Sequence, residues 1–525
     1  SKHIHFASSE QPNRGCHRVE DAKEAYVPYF NRRFSLGSSI PIHSTLLLMP
    51  PPPITFGTDG WRAVIADDYT FENLERVAHA TALWLKEEYG DVPSVVLGHD
   101  TRFMSREFAE FAARVLANQG VHVTLSTSFI PTPAISWATK ATDCDAGVVI
   151  TASHNPPTYN GFKLKADFGG PAPPPMVATV EEAVQRVPTR TEPLPALGVL
   201  QEQDRVHVED LAAAYVLALR EILDLEAIRA SGLTIAHDPM YGAGKGVVAE
   251  LLGRDRVVEL HGDWNPGFHG QPPEPIERNL GELADTIRRE GCDVGLANDG
   301  DADRIGMFDE QGQYVSSHRI LALLTKYLVE ERGLTGKIVK TFSTTHMLDK
   351  MAERYALDIE TTPIGFKYIA TKMADDDVLV GGEESGGIAA KGHIPERDGI
   401  YIGLLITEMV VKRGKPLSTL VQELYDEFGP HRTYRDDLHI SEDQKRQALA
   451  RLDEEGGLSE INGHTVRRVD TLDGFKHITA SGWLLVRPSG TEPVLRVYSE
   501  AETTEAARAL VKDAAAQLGI DGVAH

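Results

Sequence analysis

Apolar positions set the first reading of this chain. From Phe71 onward, Leu74, Val77, Ala78 and Leu85 recur at helical spacing, and the next apolar run, SVVLGHD, is short, β-rich and closed by Gly98 and Asp100. The same order returns downstream. CDAGVVI leads into TASHNP, GLTIAHDP follows a helical stretch near Leu211 to Leu223, and CDVGLAND follows a helix near Leu283 to Arg289. Helix alternating with buried strand predicts α/β layers with partly parallel sheets. The last segment, 432–525, places the strand-like VRRVDTLDGFKHI before the helical EAARALVKDAAAQL and reads as a smaller α+β unit. No internal repeat recurs at a fixed period.

Length and composition limit the possibilities. A chain of 525 residues exceeds what one hydrophobic core supports, so three or four domains are expected. Turn-rich stretches at 171–196, 309–313 and 429–432 suggest the divisions. Acidic residues outnumber basic ones 77 to 53, for a formal charge of −24, which argues against nucleic acid or an anionic membrane as partner. An anionic substrate would need a local basic pocket. Cys16, Cys144 and Cys292 lie far apart, without the spacing of a disulfide framework or a zinc site, which points to a reducing, cytoplasmic setting. No apolar run is long enough to predict a membrane span. Residues 1–48 differ in character from the rest of the chain and read as an N-terminal extension, disordered or upstream of a true start at Met49.

Four polar motifs follow apolar runs, where α/β sheets gather ligands. In TASHNP, Ser153 lies where a strand ends, but the hydrolase pattern GxSxG is absent and the adjacent His154 cannot readily turn back to act as its base. Taken alone, Ser153 and Asn155 better suit a side-chain-to-backbone turn. In NDGDADR, Asp299, Asp301 and Asp303 alternate with small residues, so an extended backbone would aim three carboxylates to one side. Oxygen-only donors favour a hard ion such as Mg²⁺. An EF-hand is excluded because Arg304 stands where that loop needs glycine. GGEESGG offers Glu383, Glu384 and Ser385 for sugar hydroxyls, or simply a polar turn. RPSGTEP combines Arg487, Ser489, Gly490 and Thr491, a composition suited to cradling a dianion and also to a surface turn. Arg62, Lys163, Lys340, Lys367 and Arg397 accompany motifs, and none stands out without one.

In this order the four motifs resemble the α-D-phosphohexomutase superfamily of phosphoglucomutases and phosphomannomutases, over nearly everything from Phe56 onward. The resemblance implies an α/β fold of three related mixed α/β domains plus a smaller C-terminal α+β domain around a central active-site cleft. Placed on this chain, those domains are 49–195 with the phosphoserine loop, 196–309 with the metal loop, 310–430 with the sugar loop and 431–525 with the phosphate loop. It further implies that Ser153 carries a phosphoryl group, with His154, Lys163 and Arg62 beside it, and that Ser153, Asp299, Asp301 and Asp303 hold Mg²⁺. Lys163 is the expected manager of the hydroxyl proton, its pKa lowered by cationic neighbours. Arg304, Lys340, Gly365, Lys367, Glu383, Ser385, Arg397, Arg487, Ser489, Gly490 and Thr491 are the expected substrate ligands. The substrates would be hexose phosphates, with a hexose 1,6-bisphosphate such as glucose 1,6-bisphosphate as intermediate and activator. TPIGFKYI, GGEESGG and HIPERDG look closer to glucose mutases than to dual enzymes carrying GEMSGH or glucosamine mutases carrying GEQSGH. A phosphomannomutase or dual enzyme is the alternative, a phosphoglucosamine mutase a more distant one, and a noncatalytic sugar-phosphate sensor the reading from another class.

Overall fold

The computed structural model describes residues 54–57, 59–187, 193–489 and 494–520; the expected extension over 1–48 lies outside them. Four principal sheets follow in chain order, with 6, 5, 4 and 5 strands. The first three share one plan. In the first, Ser94–His99 lies parallel to His122–Ser126 on one side and to Ala146–Ile150 on the other, and Tyr159–Ala166 returns antiparallel to Ala146–Ile150. In the second, Ile235–Asp238 lies between Val257–Glu259 and Val294–Asn298, and Ile305–Phe308 returns antiparallel. In the third, Lys337–Thr341 lies between Ile359–Thr362 and Val378–Gly382, and Ile388–Ala390 returns antiparallel. Each returning hairpin carries one motif loop: TASHNP, NDGDADR or GGEESGG.

The inner parallel strands of these sheets are largely buried, as helix-covered strands must be, while the outer ones Val206–Glu209, Val257–Glu259 and Ile359–Thr362 are partly exposed. Ala146–Ile150 and Val294–Asn298 are buried along their whole length. The helix Gly399–Arg413 is buried from Gly399 through Val410, and its apolar surface on all sides marks it as a central element. Gly403 lets it approach Leu296 and Ile305 of the second sheet, while Tyr401 and Leu404 join the core shared with the third.

Two sheet edges fall beyond the expected domain divisions. Val206–Glu209 pairs with His122–Ser126, so the first sheet continues past residue 195. Tyr314–Val315 pairs with Met307 and Phe308, so the second continues past 309. In both places the turn-rich stretch is a connection within one sheet. The fourth sheet is antiparallel and packs on the helices Glu442–Glu455 and Thr504–Gln517. Within it the expected strand VRRVDTLDGFKHI is two strands, Arg468–Asp470 and Phe475–Ile478, that pair across a turn. Among the described residues, no helix is long and apolar enough to cross a membrane.

Candidate active site

The serine loop and the aspartate loop meet face to face. Ser153 Oγ donates to Asp299 Oδ2 at 2.7 Å, and both residues are buried. The approach depends on Gly300, because a Cβ there would lie 2.5 Å from the Ser153 carbonyl oxygen. Ligand atoms of Asp299, Asp301 and Asp303 lie within 4.8 Å of one another. They converge through a tight turn in which Ala302 takes a left-handed φ of 59°. Extended alternation is therefore not what gathers them. A turn brings carboxylates closer together than a pleated strand can.

Burial and the neighbouring Asp303 and Asp301 charges push the Asp299 carboxyl well above its usual range. Asp301 is held low in spite of its burial, by Lys163 and by the Thr132 hydroxyl 2.6 Å away. Asp301 Oδ1 and Asp303 Oδ1 are buried without a hydrogen-bond partner. Orphaned anionic oxygens on an all-carboxylate donor set are what a hard divalent ion would satisfy, so these residues fit Mg²⁺.

Lys163 sits opposite, its Nζ 2.7 Å from Asp301, 2.9 Å from Asp303 and 2.8 Å from Asp59. Burial alone would lower its pKa, but the three carboxylates outweigh it and raise the ammonium well above its usual range. This corrects the expectation of a depressed lysine. The closest charges are anionic, and two of its N–H groups donate to Asp301 and Asp303. His154 is the group that is depressed, by burial and then by Arg304, Arg62, Lys163 and Arg102. Its Nδ1 is 3.5 Å from Ser153 Oγ, at the limit of a hydrogen bond. Arg62 donates to Asn155 Oδ1 at 2.8 Å and so anchors the serine loop.

The third sheet's loop closes on the same centre. Gly387 pairs with Arg304 across an isolated bridge, and Gly386 accepts from the Ile305 N–H at 3.1 Å. Arg304's own N–H donates to Asp299 Oδ1 at 3.0 Å. Arg397 pairs with Asp59, lies 2.7 Å from Asp303 and reaches toward Glu383 at 3.9 Å. Burial pushes the Glu383 carboxyl up to about 7, against the pull of Arg397. Ser385 beside it is half-buried. Lys367, next to Gly365 at the start of helix Phe366–Asp375, shares a narrow cleft with Asp59 and Gly60.

Two expected ligands sit apart. Lys340 donates to the Thr345 carbonyl at 2.9 Å and pairs with Asp349, beside Lys476 and His346 where the third and fourth sheets meet. Arg487 donates to Asp473 at 2.9 Å, and Asp473 also accepts from the Ile364 N–H at 2.8 Å, which links the fourth sheet to the loop of Gly365. Ser489 accepts at its carbonyl from Lys445 at 2.7 Å. Gly490 and Thr491 lie outside the described residues.

Asp59, Arg102 and Thr132 escaped the sequence reading, although Asp59 lies in the same GTDGWR motif as Arg62 and Arg102 follows a strand end in GHDTR. For Arg102 the available signal was its position just after the strand Ser94–His99, and for Asp59 its place beside Arg62 in one motif.

Four family models, described as phosphoglucomutase/phosphomannomutase alpha/beta/alpha domains I, II and III and C-terminal domain, match residues 53–191, 213–312, 316–428 and 441–517. The chain belongs to the phosphoglucomutase/phosphomannomutase family. It is thus a phosphohexomutase, an intramolecular phosphotransferase. A phosphoglucomutase/phosphomannomutase of Thermococcus kodakarensis is 34% identical over 86% of this chain and 96% of its own length. A probable phosphoglucosamine mutase of Pyrococcus abyssi is 31% identical over 87% and 96%. A solved Thermus thermophilus structure, described provisionally as a phosphomannomutase, matches with a TM-score of 0.78 at 36% identity, covering 89% of this chain and 99% of that one. The phosphohexomutase fold expected from the motifs, three α/β domains and a C-terminal domain, is the one these matches share.

Proposed function

We propose that this phosphohexomutase interconverts hexose 1-phosphate and hexose 6-phosphate, with glucose phosphate preferred, and that Ser153 relays the phosphoryl group. The observation that carries the reading is the Ser153 hydroxyl 2.7 Å from Asp299, at the edge of a three-carboxylate cluster with two orphaned oxygens. Asp299, Asp301 and Asp303 would hold Mg²⁺. Bound there, the ion would neutralise charge on the phosphoryl oxygens.

The chain's own residues supply the rest. Phosphoryl transfer needs positioning and charge compensation more than covalent help, and Lys163, Arg62 and Arg397 put three cations around the Asp59–Asp303 region. With two N–H groups engaged by carboxylates, Lys163 is a fixed positive charge and donor. Glu383 can donate or accept toward a sugar hydroxyl near neutral pH. A hexose 1,6-bisphosphate formed from phosphoserine and a monophosphate must turn over and return its other phosphoryl group to Ser153. The same bisphosphate added to the dephosphorylated protein would activate it.

Support for glucose comes from the sugar loop. Gly387 stands where GEMSGH enzymes carry histidine, and a Cβ at 387 would lie 2.4 Å from Arg397 Cδ, so the loop is built around that arginine. Glu384 is tied to Ser343 at 2.5 Å, which leaves Glu383 as the acid facing Arg397. Relatives include a probable phosphoglucosamine mutase, so glucosamine belongs in the test. Glucose, mannose and glucosamine 1-phosphates are to be assayed in parallel with Mg²⁺ and a trace of bisphosphate. The highest kcat/KM should be for glucose, and a clear preference for another sugar would overturn that choice. Ser153→Ala should bind sugar phosphate yet lose turnover on the order of 10⁴-fold or more, the scale of deleting a nucleophile. Retained turnover would refute the relay, and free phosphate as the main product would refute the mutase.

A further inference from the structure

Both ends of the Ser153 residue are tied to one buried ion pair. Its N–H donates to Thr151 Oγ1 at 2.9 Å, and Thr151 Oγ1 donates to Asp100 Oδ2 at 2.6 Å. Its carbonyl accepts from Arg102 Nη2 at 2.6 Å, and Arg102 Nε lies 3.2 Å from the same Asp100 oxygen. The circuit is closed. Asp100 is fixed in turn by the Arg102 N–H at 2.9 Å and the Ser105 hydroxyl at 2.8 Å.

The guanidinium does more than hold one carbonyl. It also donates to the carbonyls of Asn155 at 2.6 Å, Pro156 at 2.9 Å and Tyr159 at 3.1 Å, so it spans the whole turn that presents the serine. Ser153 needs such a brace, because its φ of 52° lies in the left-handed region that side chains disfavour. Arg102 is 1% exposed and lies beneath the Phe268 ring, 5.0 Å from its centroid. It therefore reaches no substrate and acts only through the serine.

We propose that Arg102 is the positioning residue of phosphoryl transfer, holding Ser153 in its left-handed conformation so that Oγ faces the aspartate cluster. This rests on the reading of Ser153 as the relay. The step concerned forms the Ser153 Oγ–P bond and breaks the sugar O–P bond of a hexose bisphosphate, and the serine proton ends on the released sugar oxygen. A planar fork with several donors can satisfy diverging carbonyls, whereas a lysine ammonium on a flexible stem cannot reproduce it.

The test measures the rate at which glucose 1,6-bisphosphate phosphorylates Ser153, read by intact mass and peptide mapping, with hexose phosphate affinity read by calorimetry. Arg102→Lys should remain folded and bind within about threefold of wild type, while phosphorylation and kcat fall roughly 10²-fold, the scale of a misplacement of about 1 Å. Arg102→Ala should recover part of the rate when methylguanidinium is added. Thr151→Val cuts the other arm with Arg102 intact, and should lower the rate in the same way with KM little changed. The inference is overturned if folded Arg102→Lys and Thr151→Val phosphorylate at the wild-type rate, or if activity falls only in proportion to the folded fraction. Wild-type protein that takes no phosphoryl group at Ser153 would instead sink the relay itself, and this inference with it.

Discussion

Single residues here are set by charges that the fold brings from distant parts of the chain. Glu383 keeps its proton to about 7 in the folded protein, whereas the unfolded chain ionises it near 4.5. Between those values the folded state binds the extra proton, so the stability this group contributes is fully present below pH 4.5 and is lost as pH climbs through 7. Glu383→Gln cannot ionise. It should gain on wild type by at most about 3 kcal/mol between pH 4.5 and 8, at about 1.4 kcal/mol for each pH unit between the two values. Urea melts across that range check this, and parallel pH profiles would contradict it. The aspartates make a second residue-scale prediction. Mg²⁺ at 100 times its Kd should stabilise the wild type by about 2.7 kcal/mol. Asp301→Asn should lose most of that gain, and scanning calorimetry showing equal shifts in both proteins would remove Asp301 from the ion site. The acids themselves were readable as NDGDADR. The pairing of Lys163 with them was not, because Lys163 lies 138 residues from Asp301 and meets it only through tertiary packing.

At the scale of elements, one device recurs. A central parallel strand ends, a loop carries the chemistry, and an antiparallel strand returns, in the order shared by the first three sheets. Periodicity made the helix Phe71–Tyr89 and the strands Ser94–His99, Ala146–Ile150 and Val294–Asn298 legible, because each carries its own apolar pattern. The common plan was not legible at a fixed spacing, since it resides in strand pairing while the connecting segments differ in length. Turn residues misled for a related reason. They mark a reversal of the chain, and cannot say whether the next strand rejoins the same sheet, as Val206–Glu209 and Tyr314–Val315 do. The loop geometry can be tested through Gly387, whose backbone any residue could adopt. Gly387→Ala would put a methyl 2.4 Å from Arg397 Cδ and displace the guanidinium from Asp303. Moving a buried arginine off its carboxylates should lower the melting temperature, and in the protein that stays folded kcat/KM should fall roughly 10 to 10²-fold, as expected of a misplaced group. Unchanged steady-state kinetics would show that Arg397 does not need its present position.

At the scale of the whole molecule, the fourth sheet meets the third through the Asp473–Ile364 bond at 2.8 Å, the Glu500–His346 bond at 3.1 Å and the Lys476–Phe342 bond at 2.7 Å. A small apolar cluster of Phe342, Trp483, Leu485 and Tyr498 lies between the same sheets, and a contact of this limited extent is the kind that permits relative movement of domains. The proposed mechanism, in which a bisphosphate turns over without leaving, calls for closure of this domain over the site. Small-angle scattering should therefore show a smaller radius of gyration when glucose 1-phosphate is added, and superimposable curves would count against closure. The amino-acid sequence alone determined the α/β class, the four motif loops and the candidate chemistry of a serine, three aspartates and their family, because these depend on local periodicity and on residue types at short spacing. Only the tertiary structure decided which charges face one another, that Lys163 is held by carboxylates, that Lys340 stands apart, and that Arg102 braces the serine from beneath. Those facts depend on distances between residues far apart along the chain, and packing sets such distances.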